Sequence, residues 1–266
     1  MSEAKVIAIA NQKGGVAKST TTLNLGVGLT RLGKKVLVID ADPQGSLTVS
    51  LGIKNPDELE CSLSTLMQCI IEDEPFGKEN VLFYHEEGID LIPSNIELSG
   101  VEISLFNAIR RELVLNNCIE HFKNDYDYIL IDCMPSLGLM TVNALAAADS
   151  IIIPSQPNFL STKGLNLLFR SITRIKKQIN PALTIDGILL TMVDSRTNNA
   201  KTVSASLRES VDGGIRVFNT EIPHSVRIPE SSIAGTSIFS YDKNCKVATA
   251  YESLSKEVIS IERKQN

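Results

Sequence analysis

The chain has 266 residues, of which 43% are hydrophobic, and a formal net charge of −5 at pH 7. This length and hydrophobic fraction allow a single large domain with a sizeable core, and no stretch has the composition of a linker or a repeat. The negative net charge argues against a protein that coats nucleic acid with its whole surface, but it leaves room for a local basic patch.

The cysteines and the apolar runs indicate a compartment. Five cysteines are scattered without a C-x-x-C pair, so neither a metal cluster nor a disulfide framework is predicted, and an odd number fits a reducing cytosol. The N-terminus lacks the pattern of a signal peptide, and no apolar run approaches the length of a membrane span. We therefore expect a cytoplasmic protein without a membrane segment, in which residues 1–266 form one domain.

Strands and helices are predicted to alternate along the chain. The predicted strands are residues 6–10, 36–39, 88–93, 126–132, 150–154, 185–192 and 217–222. The predicted helices are residues 19–32, 63–71, 96–123, 141–148, 162–179, 199–211 and 245–261. This alternation predicts an α/β fold, a doubly wound and mostly parallel sheet with helices on both faces and with ligands at the carboxyl ends of the strands.

The first predicted strand leads through a glycine pair into the first predicted helix, which is the order of a P-loop. In such a loop, backbone N–H groups bind phosphate oxygens. Lys18 would reach the β- and γ-phosphates, and the hydroxyl of Ser19 would bind Mg²⁺. The pattern G-x-x-x-x-G-K-[ST] is not strictly met, because Gln12 and Ala17 occupy its glycine positions and a second lysine, Lys13, precedes the glycine pair.

Acidic residues follow two of the predicted strands, at the sheet edge where the P-loop is expected. Asp132 is placed to bind Mg²⁺ with Ser19, and because Mg²⁺ keeps several waters, one hydroxyl, one carboxylate and the phosphates suffice. Asp42 is a candidate to orient the attacking water. Asp40 lies two residues earlier on the same side of the strand, so it could share in the chemistry or simply brace the loop.

Five ordered motifs resemble the ParA/MinD family of deviant Walker ATPases, and most closely its ParA/Soj partition ATPases. The motifs are KGGVAKST (13–20), VIDADPQG (38–45), ILIDCMPS (129–136), TMVDSRTN (191–198) and IPHSVR (222–227). The resemblance spans nearly the whole chain. It implies a P-loop NTPase fold of the deviant Walker A class and a slow, partner-stimulated ATPase that uses ATP and Mg²⁺.

The resemblance also implies roles for individual residues. Lys13 would reach the phosphates of the second subunit in a nucleotide-sandwich homodimer, and Asp42 would position the hydrolytic water, with Asp40 beside it as a further catalytic candidate. Ser19 and Asp132 are the expected metal ligands. The expected nucleotide-binding residues are Lys13, Gly14, Gly15, Val16, Ala17, Lys18, Ser19 and Thr20, with Met192 and Pro223 as candidates for either adenine contact or core packing.

Ala17 departs from the family pattern, which usually has glycine at this position. We expect Ala17 to lie at the start of the helix with a negative φ, which alanine tolerates. Its methyl group would then take up space near the phosphates without straining the backbone, and ATP binding would survive.

Non-specific DNA binding is implied by the resemblance as well. No helix-turn-helix extension precedes the P-loop, so we expect sequence-independent phosphate contacts by Arg196 and Arg227, which ATP-dependent dimerisation would double. Each arginine could instead pair with a nearby acid, Arg196 with Asp194 and Arg227 with Glu230. The family further implies a ParB-like partner and association with the nucleoid, with a plasmid, a chromosome or another body as the cargo.

Two other functions on the same scaffold are weighed against partition. A membrane-cycling positioning ATPase of the MinD type carries an amphipathic C-terminal tail rich in Lys and Phe. Residues 261–266 form a short and polar tail instead. An enzyme resembling nitrogenase reductase would need cysteines that bridge an iron–sulfur cluster between subunits, and Cys133 is not at the expected loop position.

Overall fold

Long apolar runs form the central strands of the sheet, because these strands are covered by helices on both faces. The computed structural model describes residues 3–157, 161–194 and 215–265. The predicted helix at 199–211 and Arg196 lie outside the described residues. The strands are β1 (Lys5–Ile9), β2 (Val36–Ala41), β3 (Phe83–Tyr84), β4 (Ile89–Ile92), β5 (Tyr128–Cys133), β6 (Ser150–Ser155), β7 (Thr184–Val193) and β8 (Val217–Pro223).

The strands form one sheet in the order β3-β4-β2-β5-β1-β6-β7-β8. β3 pairs antiparallel with β4, and the other described strand pairs are parallel. The predicted doubly wound, mostly parallel sheet is therefore confirmed. The short edge strand β3 has exposed side chains, and the apolar patterning of the sequence did not predict it.

Helices cover both faces of this sheet. They are α1 (Lys18–Arg31), α2 (Ser46–Ser50), α3 (Leu63–Glu72), α4 (Leu98–Leu105), α5 (Val114–Glu120), α6 (Leu139–Ala147), α7 (Ser161–Gln178), α8 (Arg227–Ala234), α9 (Ile238–Tyr241) and α10 (Lys246–Gln265). Helices α3 to α7 contribute to one hydrophobic core, and α1, α2, α9 and α10 to the core on the opposite face. Within the described ranges, no helix has the length and apolar character needed to cross a membrane.

The single helix predicted over residues 96–123 is wrong, because the chain forms two helices there, α4 and α5. Asn143 of α6 donates a hydrogen bond of 2.8 Å to the carbonyl of Arg111 and accepts one of 3.0 Å from the N–H of Leu115. A side chain from another helix thus binds backbone groups that a continuous helix would use itself. Ile109, which the helical spacing placed in the core, is 93% exposed.

Strand order brings the predicted site residues to one edge of the sheet. β5 lies between β1 and β2, so Asp132 pairs in register with Asp40 of β2 and with Ile9 of β1. The P-loop leaves the carboxyl end of β1, and the loop that carries Asp42 leaves the carboxyl end of β2. Three segments that are distant in sequence therefore meet at this edge, as expected for a parallel sheet.

Candidate nucleotide-binding site

Lys18, the first residue of α1, is only 7% exposed. Its Nζ donates a long hydrogen bond of 3.4 Å to the carbonyl of Lys13. Burial lowers the pKa of Lys18, and the nearby carboxylate of Asp132 opposes that effect. The N–H groups of the first helical turn have no acceptors within the helix, and the helix dipole favours an anion there. Together the buried ammonium group and these donors suit a phosphate chain.

Ala17 immediately precedes α1, and its backbone contradicts the expected negative φ. Ala17 has φ 65° and ψ 38°, which is the left-handed region. For a residue with a Cβ this conformation costs about 1–2 kcal/mol, whereas glycine adopts it freely. Substitution of alanine for the glycine usual in the family therefore strains the backbone, and the sequence-based expectation of a purely local steric effect is wrong.

The Ala17→Gly substitution is expected to raise the free energy of unfolding by about 0.5–1 kcal/mol. Glycine removes the strain of the left-handed backbone, and this gain exceeds the stabilisation of the unfolded chain by the greater conformational entropy of glycine. Urea unfolding of the nucleotide-free protein measures this change. The matched control is Ala250→Gly within α10, where glycine is expected to destabilise by about 1 kcal/mol. A loss of stability at both positions would contradict the assignment of strain to Ala17.

Asp132 is 1% exposed, and neither of its carboxylate oxygens has a hydrogen-bond partner in the described part of the chain. Burial raises the pKa of Asp132 well above its usual range, Asp40 adds to this rise, and the Ser19 hydroxyl and Lys18 oppose it. Unpaired buried oxygens call for a partner. A hydroxyl and a carboxylate at a P-loop are ligands that Mg²⁺ accepts beside phosphate and water, so Ser19 and Asp132 fit the predicted metal site.

Asp40 is fully buried, and both of its oxygens accept hydrogen bonds. Oδ2 accepts from the N–H and the hydroxyl of Thr48, at 2.9 and 2.8 Å, and Oδ1 accepts from the N–H of Asp42 at 3.2 Å. Burial raises the pKa of Asp40 to about 6, although the Thr48 hydrogen bonds oppose it. Of the two roles considered for Asp40, this geometry favours bracing the loop, and its direct part in chemistry stays a prediction.

Asp42 is only partly buried and faces the same sheet edge. Its Oδ1 accepts a hydrogen bond of 3.0 Å from the N–H of Gln44, which fixes the side chain within its own loop. It lies close enough to Lys18 to influence the pKa of that lysine. This placement suits a carboxylate that orients water near the phosphates, and the catalytic role of Asp42 stays a prediction.

Gln156 belongs to the site, although the sequence did not single it out. Its Oε1 accepts a hydrogen bond of 3.2 Å from Nζ of Lys13, while its Nε2 donates to the carbonyl of Gly15 at 3.0 Å and to Sδ of Met192 at 2.9 Å. Its position just beyond the carboxyl end of β6, the strand beside β1, was the available signal. In the single chain, Lys13 is thus held by Gln156 of its own subunit, and its contact with the phosphates of a second subunit stays a prediction.

The two candidate adenine contacts lie in different surroundings. Pro223 lines a groove of about 480 Å³ between β8 and α10, together with Val193 and Lys246. Met192 is 39% exposed and lies against Gln156 beside the P-loop. Both residues are near the carboxyl ends of their strands, and their contact with a base stays a prediction.

Arg227 begins α8, and its side chain is 51% exposed and paired with acids. Its Nη1 lies 3.0 Å from Oε2 of Glu230, and its Nε lies 3.8 Å from Oδ2 of Asp242. The local pairing with Glu230 considered from the sequence is therefore present. An exposed ion pair of this kind contributes little stability and can exchange partners, so contact with a DNA phosphate stays a prediction.

Four features define a P-loop nucleotide-binding ATPase. They are the mostly parallel sheet, the glycine-containing loop before α1, the buried Lys18, and Asp132, whose oxygens have no hydrogen-bond partner in the described residues. A family model described as an AAA domain matches residues 4–185. The chain is 42% identical to the sporulation initiation inhibitor protein Soj of Bacillus subtilis, over 96% of this chain and 98% of that protein. It is 41% identical to the chromosome partitioning protein ParA of Caulobacter vibrioides, over 97% and 95% of the two chains. The chain belongs to the family of ParA and Soj ATPases.

A solved structure adds ligands to this comparison. Cobyrinic acid a,c-diamide synthase from Mycobacterium smegmatis, with a bound ATP analogue and magnesium, superposes with a TM-score of 0.83 at 33% identity. The match covers 99% of this chain and 97% of that one. The prediction of ATP and Mg²⁺ as ligands is thus confirmed for this class of protein.

Proposed function

We propose that the chain is a partition ATPase that binds DNA without sequence preference in its ATP-bound, dimeric state. A ParB-like partner stimulates hydrolysis and releases it, so that the protein cycles on and off the nucleoid in the cytoplasm. The observation that carries the proposal is the arrangement at one sheet edge. There Lys18 and Asp132 are both buried, the oxygens of Asp132 have no hydrogen-bond partner among the described residues, and Lys13 lies in the loop that leads to Lys18. Extended similarity to Soj and ParA supports it.

The chain's own residues are assigned to nucleotide binding, hydrolysis, dimerisation and DNA binding in this cycle. Lys18 and the first-turn N–H groups of α1 hold the phosphates, and Ser19 and Asp132 hold Mg²⁺, which neutralises charge on the phosphate oxygens. Asp42 orients water toward the γ-phosphate. Lys13 exchanges Gln156 for the phosphates of a second subunit, which makes nucleotide part of the dimer interface. The dimer then presents two copies of each DNA-contacting arginine, which raises avidity.

Arg227→Glu is expected to remove most ATP-dependent DNA binding, because it converts a phosphate contact into a repulsion beside Glu230 and Asp242. The salt dependence of the remaining binding is expected to fall by about 2 in slope per dimer, one for each lost contact. Fluorescence anisotropy of a labelled duplex of arbitrary sequence, with Mg²⁺ and a slowly hydrolysed ATP analogue at several salt concentrations, measures both quantities.

The matched control is Lys35→Glu, which reverses an exposed charge directly before β2, at the opposite edge of the sheet. Equal DNA affinity of Arg227→Glu and wild type would remove Arg227 from the DNA interface. DNA binding of the wild type that does not respond to ATP would overturn the whole cycle. ATP-dependent binding to anionic lipid vesicles in place of DNA would support a membrane-cycling protein of the MinD type instead.

A further inference from the structure

A buried hydrogen-bond network joins the carboxyl ends of β2 and β4 through one hydroxyl, that of Thr48. Thr48 is fully buried in α2. Its hydroxyl donates to Oδ2 of Asp40 at 2.8 Å and accepts from the N–H of Ser94 at 2.9 Å. Its own N–H also donates to Oδ2 of Asp40, at 2.9 Å. The donor and acceptor functions of the Thr48 hydroxyl are therefore both used.

The same network reaches the residue that orients water. Oδ1 of Asp40 accepts the N–H of Asp42, so one carboxylate holds the two ends of the segment between Asp42 and Thr48. Gly45, within that segment, has φ 60°, and a Cβ there would lie 3.2 Å from the carbonyl oxygen of Ser94. The loop after β2 thus packs closely against Ser94, two residues beyond β4, in a conformation that suits glycine.

The far side of the network is anchored as well. Asn95, next to Ser94, accepts hydrogen bonds from the hydroxyls of Ser62 and Ser64 at 3.3 and 3.2 Å. The N–H of Leu63 donates to the carbonyl of Pro93 at 2.8 Å. Because these hydrogen bonds connect residues 93–95 to the start of α3, the N–H of Ser94 that donates to the Thr48 hydroxyl is held in place.

We propose that Thr48 is a positioning residue for ATP hydrolysis, because its hydroxyl couples the end of β4 to Asp40 and so sets the position of Asp42. The inference rests on the hydrolysis proposed above. Valine at this position would leave the N–H of Ser94 without its acceptor and Asp40 with one donor fewer, and buried unpaired groups drive local rearrangement. Asp42 would shift, whereas the phosphate-binding residues of the P-loop lie between β1 and the first turn of α1 and would stay in place.

The test compares Thr48→Val, which removes the hydroxyl, with Thr48→Ser, which keeps it. ATP turnover is measured with Mg²⁺, DNA and partner, and nucleotide affinity is measured with fluorescent N-methylanthraniloyl ATP. Thr48→Val is expected to lower kcat by about 10- to 100-fold, because a displacement of about 1 Å in a reacting group has an effect of this size. The Kd for the fluorescent nucleotide is expected to stay within about 3-fold, and Thr48→Ser is expected to restore most of kcat.

A second variant keeps the test valid if Thr48→Val does not fold. Asp40→Asn replaces one of the accepting oxygens with a donor group, and it is expected to lower kcat while nucleotide affinity is kept. Where both variants fold, their effects are expected to be less than additive, because they break the same network. Unchanged kcat in either variant, or a serine variant as impaired as the valine variant, would overturn the role of Thr48. A wild-type protein that hydrolyses no ATP would overturn both this inference and the proposed function.

Discussion

Mg²⁺ is expected to increase the affinity for ATP, and replacement of Asp132 with asparagine is expected to reduce this increase by about 10- to 100-fold. The same change is expected to stabilise the protein in the absence of Mg²⁺. Asp132 is buried without a hydrogen-bond partner for either oxygen in the described residues, and it lies beside the carboxyl of Asp40. Asparagine has the same size and removes a buried carboxylate whose burial and proximity to Asp40 are only partly offset by Lys18 and the Ser19 hydroxyl. The gain in stability is about 1–3 kcal/mol.

These opposite effects are measured by titrating fluorescent ATP with and without Mg²⁺ and by following thermal unfolding of the nucleotide-free protein. The matched control is Asp90→Asn in β4, where the carboxylate is half-buried and accepts a hydrogen bond of 2.7 Å from Tyr126. That variant is expected to lose stability and to keep its response to Mg²⁺. If Asp132→Asn retained the full Mg²⁺ response, the assignment of Asp132 to the metal site would be wrong.

Features encoded by short stretches of sequence could be predicted. The apolar runs of β1, β2 and β5 have no polar alternation, so they identified buried parallel strands and placed the acids at their ends. The P-loop was found from residues that are contiguous in the chain. Alternation of strands and helices then brought Asp132 and Asp40 to one edge, because parallel strands end on the same side.

Features set by distant partners could not be predicted. The break between α4 and α5 depends on Asn143, and the position of Lys13 depends on Gln156, which is 143 residues away. Residues 106–113 include no glycine or proline that would mark the break, and their apolar residues keep a helical spacing. The left-handed backbone of Ala17 is imposed by the loop around it, and the side chain itself disfavours it. In each case the surrounding structure overrides a local preference.

Asp42→Ala is expected to lower ATP hydrolysis by about 10²- to 10⁴-fold, the usual effect of removing a group that accepts or orients a reacting proton. Nucleotide affinity is expected to change little, because Lys18 and the first turn of α1 hold the phosphates without Asp42. Single-turnover hydrolysis and the Kd for fluorescent ATP measure the two effects separately. The control is Asp125→Ala, which removes an exposed acid paired with Lys78 at 3.0 Å, just before β5 and away from the site.

The consequence for DNA distinguishes a switch from an enzyme that only turns over ATP. If hydrolysis is the release step, Asp42→Ala bound to ATP is expected to stay on DNA after the partner is added, while wild-type protein dissociates. The variant retains Arg227 and the P-loop, so its affinity for DNA without the partner is expected to equal that of wild type. Its dissociation rate is expected to be lower than that of wild type only once the partner is present. Equal dissociation rates for the two proteins in a competitor-chase experiment would mean that hydrolysis does not control release. Persistent binding of the variant, together with lost turnover, would show that ATP hydrolysis at Asp42 limits the time spent on DNA.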